Sequence, residues 1–325
     1  MDGDDEMVCP TEGYRVCCRS SLPVGMPSSL WIALLSAALV GCATTTNVEP
    51  QRPGTAPPPG QDVKLVAYNV AFGAVVGGVG ALLNGDGRPV PRAARGAAWG
   101  ALGGTIAYTG KWTAGAVSAR EQLAYGLPAR LVHDIGASVV ENAAHGRPPL
   151  DRFSTHLGVV RVDVRPATGS VQARLLPFNA LVVAVIAADP DVNLDLGRSL
   201  ALGTPFFTGD SRDDAPILDS PSNGRAILSS VFVARSDLEF HDTAAHELIH
   251  AMQHHEFTRY EATLRAPLGS SKGLGSWVYL DSPALQYLTY YAVEGGAIDA
   301  PCKYDNWIER EAEAFASRRA VGVCP

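Results

Sequence analysis

The sequence predicts an α+β protein in which a Gly-rich helical hairpin precedes a small antiparallel sheet and two polar helices. Three observations carry this expectation. Between residues 63 and 110, apolar side chains are interleaved with glycines spaced four apart. From residue 155 to 235, short β-rich runs alternate and are separated by turn clusters such as "PATGS" and "SPSNG". Around residues 237–256 and 307–319 the apolar residues instead recur at helical period. With 325 residues, 46% of them hydrophobic, the chain can bury a substantial core. Its formal charge is −7 and no block of Lys or Arg stands out, which argues against a nucleic-acid partner.

Residues 1–41 read as a leader. "SLWIALLSAALVGC" is too short to span a bilayer and ends in small residues before a cysteine, the form of a secretory apolar segment with its processing site. Residues 1–25 are acidic at their start and too long for an ordinary leader head, so a true start near Met26 is expected. The ending Leu39-Val40-Gly41-Cys42 resembles the lipobox of bacterial lipoproteins. That resemblance implies lipidation of Cys42 and a place in the cell envelope; Ala43 after the cysteine points to the outer membrane. Residues 42–62, rich in Thr, Pro and Gly, form a flexible tether. Cys9, Cys17 and Cys18 leave with the leader and Cys42 is used by lipid. Cys302 and Cys324 remain as a pair, expected to form a disulfide in an oxidising compartment.

The hairpin, residues 63–112, has an apolar first half of membrane length and a shorter second half carrying Arg95, joined by the turn "NGDGRPVPR". The pairs Gly73/Gly77, Gly96/Gly100 and Gly100/Gly104 allow close helix approach. Two readings stay open: a hairpin in or on a membrane, or one packed on the following domain. Residues 113–325 form that domain. It opens with helical sequence in which Leu131, Val132, Ile135, Val139 and Val140 make an apolar stripe. His133, Glu141 and His145 match no metal spacing, and packing or surface roles are expected for them. "HLGVVRVDVRP", "SVQARLLPFNALVVAVIAA" and "GRAILSSVFVARS" supply the strands.

The chemistry concentrates in "HDTAAHELIHAMQHH", residues 241–255, which holds five of the chain's eight histidines. Ser236 and Glu239 have capping-box spacing, which places a helix at about 237–256. On it His246 and His250 are one turn apart and share a face, so both imidazoles can bind one metal ion, with Glu247 beside them to act on water. Leu248, Ile249, Ala251 and Met252 are the expected buried flank, and His241, His254 and His255 the solvated remainder. A zinc site that hydrolyses bonds needs a third protein ligand. "NWIEREAEAFASRRAVG" offers Glu309 and Glu313, one turn apart on a helix that Asp305 or Asn306 can cap, while Glu311 points about 160° away.

Together these motifs resemble the gluzincin zinc metallopeptidases. "EREAEAFA" is similar to the E-x-x-A-D-x-x-A helix of the family that holds the membrane heat-shock protease and the CaaX prenyl proteases. The resemblance implies a zincin-like arrangement of the two helices. It makes His246, His250 and Glu309 ligands of Zn²⁺ and Glu247 the general base. Glu313, where the family has an aspartate, would hold a ligand histidine. The resemblance covers only these two helices.

The expected function is a zinc-dependent peptidase of the bacterial cell envelope, acting on a peptide or protein substrate and held to the membrane by its lipid. The alternative is a non-catalytic envelope lipoprotein whose metal site stiffens a scaffold. Tyr279, Tyr290 and Tyr291 are unranked candidates for stabilising the oxyanion. A strand at 225–235 could hold an extended substrate by strand addition.

Overall fold

The structure is a computed structural model that describes residues 63–86, 88–210, 224–265, 277–288 and 307–316. The leader, the tether, Cys42, Cys302, Cys324, Asp305, Asn306, Tyr290 and Tyr291 lie outside the described residues.

Three helices come first: α1 (Val63–Asn84), α2 (Pro89–Ala119) and α3 (Gly126–Ala144). The α1–α2 hairpin is as narrow as its glycines allow. A Cβ on Gly73 would stand 2.3 Å from the Gly100 carbonyl oxygen, and one on Gly77 would stand 2.3 Å from that of Gly96. The same device joins α2 to α3, where a Cβ on Gly136 would meet the Ala107 nitrogen at 2.2 Å. α2 runs unbroken past residue 112 to Ala119. The hairpin is docked on later elements: Tyr68 stacks on Trp307 with ring centroids 3.6 Å apart, and Asn84 Nδ2 donates to the Thr263 carbonyl at 3.1 Å.

One antiparallel sheet is expected from the sequence, and the described residues form two sheets. β1 (Phe153–Leu157), β2 (Val160–Arg165) and β3 (Ser170–Leu175) form an antiparallel meander, with Thr155 opposite Val162 and Val162 opposite Ala173. β4 (Val192–Leu194), β5 (Phe206–Gly209), β6 (Gly224–Ile227) and β7 (Ser230–Ala234) form a mixed sheet in the order β4-β5-β7-β6, with β5 and β7 parallel. Alternation in sequence marks the two faces of a strand but carries neither its partner nor its direction.

The apolar run after β3 is a second correction. Residues Pro177–Ala187 form helix α4, not a strand. Pro177 sits in the first turn, where its fixed φ suits a helix. The start is capped from a distance: the Asp281 carboxylate accepts the N–H groups of Phe178 (3.0 Å) and Asn179 (2.8 Å). Ile186, Val182 and Val183 pack on Phe207 and Phe232, while Leu181 and Val185 face out, so the run has a helical stripe despite its β-branched composition.

A short helix α5 (Leu196–Leu202) precedes β5. The central element is α6 (Phe240–Arg265), which with α7 (Ala284–Leu288) and α8 (Trp307–Ala316) completes the described elements. α6 begins at Phe240 rather than 237, because Asp237 Oδ1 accepts the Glu239 N–H at 3.0 Å and holds a turn there. It continues to Arg265 rather than ending near 256. Thr258, Arg259 and Thr263 are buried there: Arg259 donates to Asp134 of α3 at 2.7 Å and to the Ser154 carbonyl of β1 at 2.8 Å, and the Thr263 carbonyl accepts from Asn84 of α1 at 3.1 Å. Leu248, Ile249, Ala251 and Met252 are fully buried with Phe206, Val231, Ala312 and Phe315 in the main core.

Candidate metal centre

The buried flank of α6 fixes the direction of the opposite side of its turn. His246 and His250 point from that side towards α8, whose buried residues Ile308, Ala312 and Phe315 in turn aim Glu309 back at α6. The two Nε2 atoms are 3.0 Å apart, and Glu309 Oε2 lies 3.5 Å from that of His246 and 3.4 Å from that of His250. Ligands in a tetrahedron about 2.0–2.1 Å from zinc stand about 3.3 Å from one another, so this triangle has the size of one face of such a site. Among the described residues it is the only His/Cys/Asp/Glu group whose donor atoms converge in this way. The three side chains are 13–21% exposed, so the cluster opens to solvent.

The outer ring nitrogens are held as metal-ligating histidines require. His246 Nδ1 lies 3.3 Å from Glu313 Oε2, and His250 Nδ1 lies 2.9 Å from Gln253 Oε1. An Nδ1–H donated to each acceptor leaves both Nε2 lone pairs facing the centre. Gln253 is a residue the sequence reading missed. Its own amide donates to Glu311 Oε2 (2.8 Å) and to the Ile308 carbonyl (3.0 Å), which fixes its oxygen towards His250.

Behind Gln253 the chain of bonds continues into the hairpin. Lys111 Nζ on α2 donates to Glu311 Oε2 (2.8 Å), Glu256 Oε2 (2.7 Å) and Asn69 Oδ1 (3.0 Å), and Asn69 Nδ2 donates to Glu311 Oε1 at 2.6 Å. Burial alone would push the Lys111 ammonium down, but the two carboxylates outweigh it and leave its pKa raised. Glu311 does point away from Glu309, as its spacing implies. It is nevertheless buried and linked to His250 through Gln253. Glu309→Gln is expected to lower zinc affinity far more than Glu313→Gln, whose loss should be about 10- to 100-fold. Glu311→Gln is expected to weaken zinc through Gln253 and to destabilise the fold. Competition titrations against a chromophoric chelator rank the three, and equal affinities for Glu309→Gln and the parent would remove Glu309 as a ligand.

Glu247 lies beside the triangle without belonging to it. Its carboxylate is buried, rests against Gly224 at the start of β6, and accepts the backbone N–H of Ala226. A Cβ on Gly224 would fall 2.2 Å from Thr243 Cγ2, so this close approach of β6 to α6 needs glycine. Burial pushes the Glu247 carboxyl up and His246 and His250 pull it down, with a net rise. Glu309 is held well below the usual range: burial would raise it, and the adjoining imidazoles more than reverse that.

Two histidines expected in solvent are instead wholly buried. His255 Nδ1 accepts from Arg130 Nη2 at 3.0 Å, and His254 Nδ1 donates to Gln286 Oε1 at 3.0 Å. With His156 they lie in a buried polar cluster around Arg130, Asp134 and Arg259, where Arg161 and Asp163 also contribute. The continuation of the helix carries His255 under Arg130 of α3 and His156 of β1 and sets His254 against Gln286 of α7, which local sequence does not reveal. His133 and Glu141 are buried in the same region. Burial depresses all three histidines: His254 to about 4, and His156 and His255 well below 6.5. The unfolded chain takes up these protons near pH 6.5 and the folded chain resists. Their stabilisation is therefore complete above pH 6.5 and is lost as pH falls towards 4, about 3 kcal/mol for His254 alone. Thermal melts at fixed ionic strength should show Tm falling between pH 6.5 and 4; a flat profile would contradict the buried neutral rings.

Tyr279 is packed on the first sheet, its ring covered by the Arg161 and Arg174 guanidiniums at 4.1 and 4.9 Å, with its hydroxyl buried. No protein-family model, curated protein or solved structure matches this chain.

Proposed function

We propose that the protein is a zinc-dependent metallopeptidase of the bacterial cell envelope, lipid-anchored through Cys42. The observation that supports it best is the convergence of His246 Nε2, His250 Nε2 and Glu309 Oε2 with the Glu247 carboxylate alongside. Two nitrogens, one carboxylate oxygen and an open side suit zinc with room for water and substrate. Zinc, when bound, acidifies water and polarises the scissile carbonyl. Glu247 accepts the proton of the attacking water and passes it to the leaving amine; its raised pKa suits a group that must do both. Glu313 and Gln253 hold the ligand rings in one tautomer.

The chain's own sheet offers a place for an extended substrate. The 225–235 segment is a hairpin, and only β6 is an edge strand; β7 lies between β5 and β6. Among the described residues no strand pairs with the outer side of β6, and because Ala226 turns its N–H to Glu247 that side runs past the general base, so a peptide laid along it would lie beside Glu247. Metal analysis of the exported protein, followed by digestion of casein with and without chelator, tests the reading. One zinc per chain and chelator-sensitive cleavage restored by zinc are expected. Zinc without cleavage would leave the structural-site alternative, and no zinc would end both.

A further inference from the structure

We propose that the cavity at the turn end of the α1–α2 hairpin binds a small phosphate monoester, at a site separate from the metal centre. The cavity holds about 430 Å³, within the roughly 300–1,000 Å³ of small-molecule sites, and lies where α1 ends, α2 begins and α3 ends. Arg92, Arg95 and Arg147 line it together with Asp86, His145 and Trp99. On α2, Arg92, Arg95 and Trp99 recur at helical spacing, so one face of that helix supplies two cations and an indole. Asn84 in the cavity wall bonds to Thr263, which lies about 20 Å along α6 from His250.

The chain does not neutralise the positive charge of this wall. Three guanidiniums stand against one carboxylate, Asp86, and among the described residues neither Arg95 nor Arg147 is in an ion pair. Arg147 Nη1 is buried with no hydrogen-bond partner. Burial and the Arg152 guanidinium push Arg147 below its ordinary value, and Asp151 and Glu141 do not make up the difference. His145 is lowered by burial and by Arg147, Arg152 and Arg161, which together outweigh Glu141, so its ring is neutral at pH 7. The wall therefore carries a net charge of about +2. A carboxylate would balance half of that, whereas a phosphate monoester carries about −1.5 to −2 at pH 7. Its oxygens also match the planar fork of a guanidinium two at a time.

The wall is fixed by the fold. Arg92 donates to the carbonyls of Gly85 and, at 2.9 Å, Leu82, which ties the start of α2 to the end of α1. At the end of α3, Gly146 adopts a left-handed φ of 67°, and the N–H groups of Gly146 and Arg147 return to the carbonyls of Ala143 and Asn142 at 3.0 and 2.9 Å. That turn brings Arg147 back to the cavity. Asn84 Nδ2 donates to the Gly80 and Thr263 carbonyls at 3.0 and 3.1 Å and anchors the end of α1 to α6. The guanidiniums thus take the phosphate head, and Trp99 offers apolar surface to the organic body of the ester.

The test reconstitutes the exported chain in phosphatidylcholine vesicles and titrates it with radiolabelled glycerol 3-phosphate. Saturable, stoichiometric binding is expected, and glycerol should not compete. Phosphatidic acid in the vesicles carries the same head on a lipid. If it displaces the probe where phosphatidylglycerol of equal charge does not, the ester is a lipid; if neither displaces it, the ester is soluble. Arg95→Gln and Arg147→Gln are each expected to weaken binding by roughly tenfold or more, while circular dichroism, zinc content and cleavage stay at parental levels. Arg92 is left intact because it holds the end of α1. No saturable binding by the parent, or parental affinity in both variants, would overturn the proposal. So would succinate that displaces the probe at equal concentration, since any dianion would then do. Zinc content and cleavage are read separately, so failure here leaves the metallopeptidase reading standing.

Discussion

Replacing Glu247 by glutamine is expected to leave zinc bound and to lower peptide hydrolysis by about 100- to 10,000-fold. The substitution is isosteric. Glu247 contributes no atom to the triangle of His246, His250 and Glu309, so the metal should stay. The amide oxygen can still accept from Ala226 N–H and the side chain still fits against Gly224 and Thr243, so α6 and β6 keep their approach. What is lost is a group able to take a proton. Zinc content near one per chain together with parental turnover would remove Glu247 as the base and with it the peptidase mechanism.

Lys111→Met is expected to cost about 3–5 kcal/mol of stability, because it leaves two buried carboxylates, Glu256 and Glu311, without their cation. A smaller effect should appear at the metal. With Lys111 gone, Glu311 no longer anchors the Gln253 amide, the His250 ring is less well held, and zinc affinity should fall by about 10- to 100-fold. Combining Lys111→Met with Glu256→Gln and Glu311→Gln should recover much of the stability, since the charge and its partners are then removed together. Urea unfolding measures the first effect and chelator competition the second. A Lys111→Met protein as stable as the parent would show that the carboxylates are already neutral.

The parts of the fold legible in sequence were those with a local code. The glycines of α1 and α2 and the apolar flank of α6 repeat at helical period, and the H-E-x-x-H spacing with the 309–316 segment suffices to bring His246, His250 and Glu309 within reach. What escaped depends on distant partners. Residues 177–187 carry Val182, Val183, Val185 and Ile186 and read as a strand, yet a carboxylate from Asp281 caps them as a helix. The parallel pairing of β5 with β7 has no signature in either strand. His254 and His255 look like any polar helix end, yet both are buried, His255 beside Arg130 and His156 and His254 beside Gln286. Gln253 and Lys111 are ordinary surface residue types until Glu311 is seen between them.

The bond from Asn69 to Glu311 joins residues 242 positions apart. Closing a loop of that length costs about 5 kcal/mol of chain entropy, which no local contact offsets in advance. A chain emerging amino-terminus first would therefore have Asn69, Lys111 and both histidines in place long before Glu309 and Glu311 arrive. Until then the two imidazoles lack the Glu309 oxygen that completes the triangle, and Lys111 lacks one of its two carboxylates. Closure of the His246, His250 and Glu309 triangle is thus tied to the arrival of the last described helix: a still-threading chain carries only its two imidazoles, and that helix acts as the latch that completes the group.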